Sequence, residues 1–171
     1  VEVLTDTRVT AIDAEGVTLG DRKLLARTVL WGAGVEPSKL NRALGVEVDR
    51  AGRVVVGPDL ALPAHPEVFV IGDQAHVAGA DGQPLPGLAP VAMQAGKACA
   101  ANVLHDLRGR PRAPFVYFDK GQMATIGKHK AILESQGVKL TGLLAWLGWL
   151  FIHVLFLVGF RNRLAVLSGW A

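Results

Sequence analysis

Gly72 and Asp73 end the apolar run Val68-Phe69-Val70-Ile71, and sixteen residues later Ala89-Pro90-Val91-Ala92-Met93-Gln94 opens a stretch of small side chains. A glycine at that point lets the backbone approach a ligand, and the Asp73 carboxylate accepts hydrogen bonds from sugar or ribityl hydroxyls. Pro90 suits the first turn of a helix, where a missing N–H does no harm. The free N–H groups of that turn, with the helix dipole, favour negative charge. A reduced flavin carries such charge on N1 and the C2 oxygen, so strand, Gly-Asp, loop and small-residue helix in this order read as a flavin site. Each part alone has a plainer use: Asp after Gly caps turns, and Ala-rich helices pack.

His153 is the other chemically suggestive residue, an ionisable group inside an apolar run. It fits a proton-transfer role, and it equally fits a histidine hydrogen-bonded to nearby backbone. The histidines at 65, 76, 105 and 129 lack metal-ligand spacing, and we find no metal site, nucleophile triad or nucleic-acid signature.

Positioning these residues requires an α/β framework. Val68–Ile71 is expected as a strand buried on both faces of a parallel sheet, with the ligand at its C-terminal end. Arg53–Val56 precedes it, separated by a segment in which Pro58, Pro63 and Pro66 forbid a continuous ladder. A helix follows over about 91–104, ended by Arg108-Gly109-Arg110-Pro111-Arg112, read as a solvated helix end. Residues 76–88, rich in Gly and Pro, are expected as an exposed loop. Val1–Leu4, Arg8–Ile12, Gly16–Leu19 and Thr28–Trp31 alternate as short strands. Phe115–Phe118 and Met123–Ile126 are expected to form a hairpin around Asp119-Lys120-Gly121, with a bend or bulge at Gly127. Lys120 is read as a turn lysine facing water. Lys128, His129 and Lys130 fit either lipid headgroups or the polar face of a strand.

Several of these runs resemble the C-terminal half of type II NADH dehydrogenases, single-subunit flavoproteins that reduce membrane quinones. They are Leu30-Trp31-Gly32-Ala33-Gly34-Val35, Val68 to Asp73, Ala89 to Gln94, Tyr117 to Gly127 (the Asp-Lys-Gly-x-Met-Ala-Thr-Ile-Gly run) and Gly159-Phe160-Arg161-Asn162-Arg163. The Gly-Asp motif is shared across two-dinucleotide-binding flavoproteins; the Asp-Lys-Gly run and the apolar tail are narrower. The resemblance implies the C-terminal part of a Rossmann-like flavoprotein with a membrane-anchoring helical tail. Residues 1–28 would end the NADH-binding domain, 29–110 belong to the FAD-binding domain, 111–138 form the hairpin region and 139–171 the anchoring helices. The chain has no initiator Met, no signal segment and no G-x-G-x-x-G, so the glycine-rich turns for both pyrophosphates are expected upstream.

The tail separates charge from hydrophobicity. Leu140 to Phe160 is 21 residues without Asp, Glu, Lys or Arg, long enough as one helix to cross roughly 30 Å of hydrocarbon. Residues 139–171 hold Lys139, Arg161 and Arg163 and no acid, so the net charge of +3 lies there. Trp146, Trp149 and Trp170, three of the four tryptophans, are there too. Cations and Trp beside an apolar helix suit a membrane interface. Three glycines and His153 make a poor span, and Trp146, Trp149, His153 and Phe156 form a stripe suited to facing the protein body while aliphatic residues meet lipid. The resemblance implies a monotopic anchor, with a shorter amphipathic helix near Leu164–Trp170.

By resemblance the cofactors are FAD and NADH and the partner is a membrane quinone, at the cytoplasmic face of the cell membrane, with a homodimer through the tail as a further expectation. Gly72, Asp73, Ala89, Pro90, Val91 and Ala92 would contact the flavin. Ala92, Met93, Gln94 and His153 would line the quinone pocket, with His153 as proton donor. Many family members carry Gln where this sequence has Pro90, which removes one polar quinone contact. Sulfide:quinone reductases share fold and tail but use a cysteine pair; the one cysteine, Cys99, lies within the small-residue helix and reads as a buried hydrophobe of a reducing compartment. Ferredoxin-type reductases have no use for the tail. An inactive membrane-associated piece is the non-enzymatic alternative.

Overall fold

The computed structural model describes residues 2–170, and the chain divides into two compact units, Val1–Glu36 and Pro37–Ala171. The first is an antiparallel meander of β1 (Val9–Asp13), β2 (Gly16–Leu19) and β3 (Arg22–Leu25). Asp13 closes the first turn by accepting the N–H groups of Glu15 and Gly16. Lys23 pairs with Asp13 and Glu15 across the sheet. Of the strand expected at Val1–Leu4, Val1 lies outside the described residues and the rest is irregular; Thr28–Trp31 is irregular as well. Leu30 is 92% exposed and Trp31 60%, so these apolar side chains have no layer in this unit to pack on. β3 has no alternation because Arg22 and Lys23 are adjacent, which hid it from sequence reading.

In the second unit, a one-turn helix α1 (Leu40–Ala43) precedes β4 (Val54–Val55), which pairs in parallel with β5 (Ala75–His76). The expected buried strand Val68–Ile71 is not part of this parallel pair. It meets the segment 60–62 instead, through one Ala61–Phe69 bridge and the bonds Leu62 N–H to Val68 O and Val70 N–H to Leu60 O. Only Val70 in the run is buried, because Pro63 and Pro66 limit the pairing to one short crossing. Val54, Leu60, Leu62, Val70, Ala75 and Val77 form the core, joined by Ala95 of the long helix α2 (Ala89–Leu107). The segment 76–88 is therefore not wholly an exposed loop: Val77 is buried and Ala78 bridges Pro84.

Buried polar side chains tie this core together. Asn41 donates to the Gly52 and Gln74 carbonyls, and Asn102 of α2 donates to those of Asp59 and Ala113 while accepting the Ala113 N–H. Each bond discharges a donor or acceptor that would otherwise cost about 1–3 kcal/mol when buried. Arg112 corrects the picture of a solvated helix end. Its guanidinium folds back to Asp106, Asp59 and the Pro66 carbonyl and lies 4.6 Å over the Phe69 ring. Those carboxylates raise its pKa, chiefly through Asp106.

The C-terminal part is a three-stranded antiparallel sheet, β6 (Gln122–Thr125), β7 (Ala131–Ser135) and β8 (Val138–Thr141), carrying helix α3 (Gly142–Phe156). The hairpin partner of β6 is thus β7, in the register Gln122–Glu134, and not Phe115–Phe118. Gly121 explains the turn: it sits at φ +91°, and a β-carbon there would lie 2.1 Å from the Glu134 carbonyl oxygen. The close crossing of Gly121 and β7 starts the sheet after the Asp-Lys-Gly turn instead of around it. Gly127 does mark a bend, and Lys128 to Lys130 lie in the connection, not on a strand.

Helix α3 lies on this sheet through Ala145, Trp146 and Leu150, packed with Ala131, Leu133 and Trp149. The single helix that Leu140–Phe160 would have made is broken: Leu140 and Thr141 belong to β8, and α3 stops before α4 (Phe160–Trp170). Arg163 satisfies the freed carbonyls, donating from Nε to Leu157 O and from its terminal nitrogen to Leu155 O. At 15 residues α3 is about 22 Å long, and no helix among the described residues is long and apolar enough to cross a membrane. Of the expected aromatic stripe, Trp146 and Trp149 face the sheet while His153 and Phe156 are exposed. After Leu150 the packed side continues through Val154 and not through His153. The side chain of Trp170 lies outside the described residues.

Candidate functional site

The Gly72–Asp73 pair forms a 3₁₀ turn between Ile71 and β5 that packs against α2. Gly72 adopts φ +67°, and a β-carbon there would lie 3.6 Å from the Ala92 methyl, an ordinary contact. Backbone conformation, not crowding, thus selects glycine at this turn. Asp73 is exposed beside Gly87, whose own hypothetical β-carbon would be 3.5 Å from the Asp73 Oδ1. A small cleft runs between Gly72, Asp73, Gly87, Leu88, Val91 and Ala92, with Arg53 in its wall. The sequence motif and the tertiary structure therefore bring Gly72, Asp73, Val91 and Ala92 together.

The α2 N-terminus is less open than a set of free donors. Ala92 N–H makes the first α-helical bond to Leu88 O, Val91 N–H bonds the same carbonyl, and Pro90 has no N–H. That leaves Ala89 N–H as the first-turn donor without a partner among the described residues. The dipole of a 19-residue helix still favours negative charge beside it. Flat, small surfaces at Gly72, Gly87, Ala89 and Ala92, a hydroxyl-accepting carboxylate at Asp73 and one open N–H fit a flavin's ribityl chain and ring edge.

Behind the cleft wall stands a charged cluster that sequence reading missed. Asp49 accepts from the N–H groups of Ala51 and Arg53, from Arg53 Nε at 2.8 Å and from the His76 ring Nδ1 at 3.0 Å. Burial pushes this carboxyl upward, but the Arg53 N–H, the His76 ring and the Arg53 guanidinium outweigh it and hold it at about 2. Arg53 also donates to Leu85 O, so the cluster fixes the loop that lines the cleft. The only advance signal was an Asp four residues before an Arg, which is too common to single out.

Gln94 and His153 come out differently from the flavin-side residues. Gln94 Nε2 donates to Phe118 O at 2.9 Å, and Phe118 N–H donates to Gln94 Oε1 at 3.1 Å. Met93 is about half exposed beside it. His153 Nδ1 bonds the Trp149 carbonyl at 2.8 Å, and its ring lies 4.3 Å from that of Trp149. His153 is exposed on α3, whose buried residues form a core separate from the one that α2 joins. Lys120 is exposed, and Cys99 packs at the edge of the α2 core, where burial raises its thiol.

Residues 1–96 match the family model for pyridine nucleotide-disulphide oxidoreductases. The chain belongs to this family. As a pyridine nucleotide-disulphide oxidoreductase it also matches, over residues 120–171, the NDH2 C-terminal domain. The type II NADH:quinone oxidoreductase NdhA of Mycobacterium tuberculosis is 40% identical over 99% of this chain and 38% of its own length. The demethylphylloquinone reductase NdbB of Synechocystis is 32% identical over 97% of this chain and 42% of its own length. The chain thus spans about two fifths of the length of the relatives it matches. NDH2 from Plasmodium falciparum, solved in complex with NADH, shares the fold at a TM-score of 0.76 and 13% identity, over 92% of this chain and 48% of that one. These matches bear out the resemblance to type II NADH dehydrogenases within the family.

Proposed function

We propose that this chain is the flavin- and quinone-facing part of an FAD-dependent, non-proton-pumping NADH:quinone oxidoreductase. The observation that carries the reading is the Gly72–Asp73 turn abutting Ala92 in the first turn of α2, in a chain 40% identical to a type II NADH:quinone oxidoreductase. Bound FAD would supply hydride acceptance and two-electron transfer to quinone. Asp73 would hold the ribityl hydroxyls, and Gly72 would let the backbone lie close to them. Ala89, Pro90, Val91 and Ala92 would form the surface against the ring, with the helix dipole favouring its negative edge. Ala92 and Met93 would border the quinone, and Gln94, whose amide is taken up by Phe118, would act beside them. His153, with Nδ1 committed to Trp149 O, is proposed to deliver a proton from Nε2.

The same reading makes the C-terminal helices a monotopic attachment to the cytoplasmic face of the cell membrane, with dimerisation through the tail as a further part. In support, Leu144, Leu147, Phe151, Leu155 and Phe160 are exposed, on helices that carry no acid.

The test uses the complete protein. Purified enzyme should carry flavin absorbance and oxidise NADH with a short-chain quinone, and Asp73→Ala should lower flavin retention about tenfold, as expected on losing hydrogen bonds to a charged group. A complete protein that binds no flavin would end the proposal. His153→Ala should slow quinone reduction more than flavin reduction by NADH; equal slowing would assign His153 to structure.

A further inference from the structure

Residues 112–118 have no regular secondary structure, yet they are stitched along α2 at two points. At one end, Asn102 both donates to Ala113 O at 2.9 Å and accepts Ala113 N–H at 3.0 Å. At the other, Gln94 makes the same two-way bond with Phe118. A side-chain amide presents a donor and an acceptor side by side, so each one reads a backbone residue as a neighbouring strand would. The helix descends from Asn102 to Gln94 while the strap climbs from Ala113 to Phe118, so the two run antiparallel. Eight helical residues cover about 12 Å, which five extended residues reach without strain. Phe115 N–H to Pro58 O, at 2.7 Å, pins the middle.

The ends differ in burial. Asn102 is 2% exposed, whereas Gln94 is only half-buried and Phe118 is 57% exposed. The Asn102 end is the anchor, and the Gln94 end is a clasp closed beside the first turn of α2. Beyond it, Gly121 starts the sheet on which α3 rests.

We propose that Gln94 is a positioning residue: its amide clasps Phe118, fixing the strap and the Asp119-Lys120-Gly121 turn beside the α2 N-terminus, so that it shapes the quinone entrance through the strap and not by its own contact with quinone. This rests on the function proposed above only for what the clasp serves. In the complete enzyme, Gln94→Leu removes both bonds, and Gln94→Glu keeps the acceptor for Phe118 N–H while losing the donor. Hydrogen exchange of the Phe118 amide should accelerate about tenfold or more in Gln94→Leu and by less in Gln94→Glu. The quinone KM should rise in the same order, with flavin reduction by NADH unchanged. Phe118→Pro, compared with Phe118→Ala, removes the N–H but leaves Gln94 intact; it should raise the quinone KM and add nothing to Gln94→Leu. Unchanged exchange in Gln94→Leu would overturn the clasp, whatever the kinetics. Faster exchange with an unmoved KM, or additive effects of Phe118→Pro and Gln94→Leu, would overturn the positioning role. If the enzyme proved to have no quinone activity, the function would fall while the exchange measurement still decided the clasp.

Discussion

The core around α2 and the C-terminal sheet with α3 solve the burial problem in opposite ways. Around α2, polar groups in the interior are met from within: Asn41, Asn102, Asp49 and Arg112 bond backbone or charged partners, and the helix buries Val91, Ala95 and Asn102. The C-terminal layer buries Ala145, Trp146 and Leu150 on one side of α3 and leaves Leu144, Leu147, Phe151 and Leu155 uncovered on the others. A contiguous uncovered apolar face is costly in water and marks a surface built to meet something apolar. One region meets its polar groups from within, and the other leaves an apolar helix face uncovered.

The sharpest way to break that comparison is Trp146→Ala. It should destabilise the C-terminal layer by about 3–5 kcal/mol, the usual cost of deleting a buried aromatic, while the α2 core keeps its protection. Hydrogen exchange measured segment by segment would check it, and uniform loss across both regions would mean they are one cooperative block. The α2 core should instead be acid-sensitive. Asp49 ionises at about 2 in the folded chain against 3.8 ordinarily, so between those values the folded state binds fewer protons. Its contribution, about 2 kcal/mol, is complete above roughly pH 4 and disappears as the pH falls through 2. Denaturant melts of the protein and of Asp49→Asn at pH 6 and near pH 2 should converge at the acid end. The smallest change in stability belongs to the outer face of α3. Leu147→Asp with Phe151→Asp should alter melting by under about 0.5 kcal/mol, as at ordinary surface sites, while sharply lowering retention on anionic lipid vesicles. Melting loss with vesicle retention intact would show that this face packs on protein.

How legible each region was follows from the range of its interactions. The helix α2 was expected from its Pro start and cationic end, and the structure lengthens it only at the ends. The Gly72–Asp73 turn is legible from residue types, and the structure sets it against α2. The strand Val68–Ile71 was not predictable as it stands, because four apolar residues look alike whether they join a parallel sheet or cross a loop once. The hairpin was misassigned because alternation in Phe115–Phe118 is local, whereas the crossing that excludes it is Gly121 against Glu134, thirteen residues away. Asp49, Arg53 and His76 carry no distinctive sequence signal, since their meeting depends on two segments 27 residues apart.

By itself the sequence determined the chemistry available: a Gly-Asp turn, a small-residue helix opened by Pro90, a single cysteine, and an acid-free apolar tail holding all the net charge. Those properties follow from residue types and short periods, which survive any arrangement of the chain. Only the tertiary structure decided that Arg163 caps the break between the two helices of the tail, that the His153 ring bonds the Trp149 carbonyl, and that Gln94 holds Phe118. Each is a choice among partners equally capable of making the bond, and only packing brings one of them within reach.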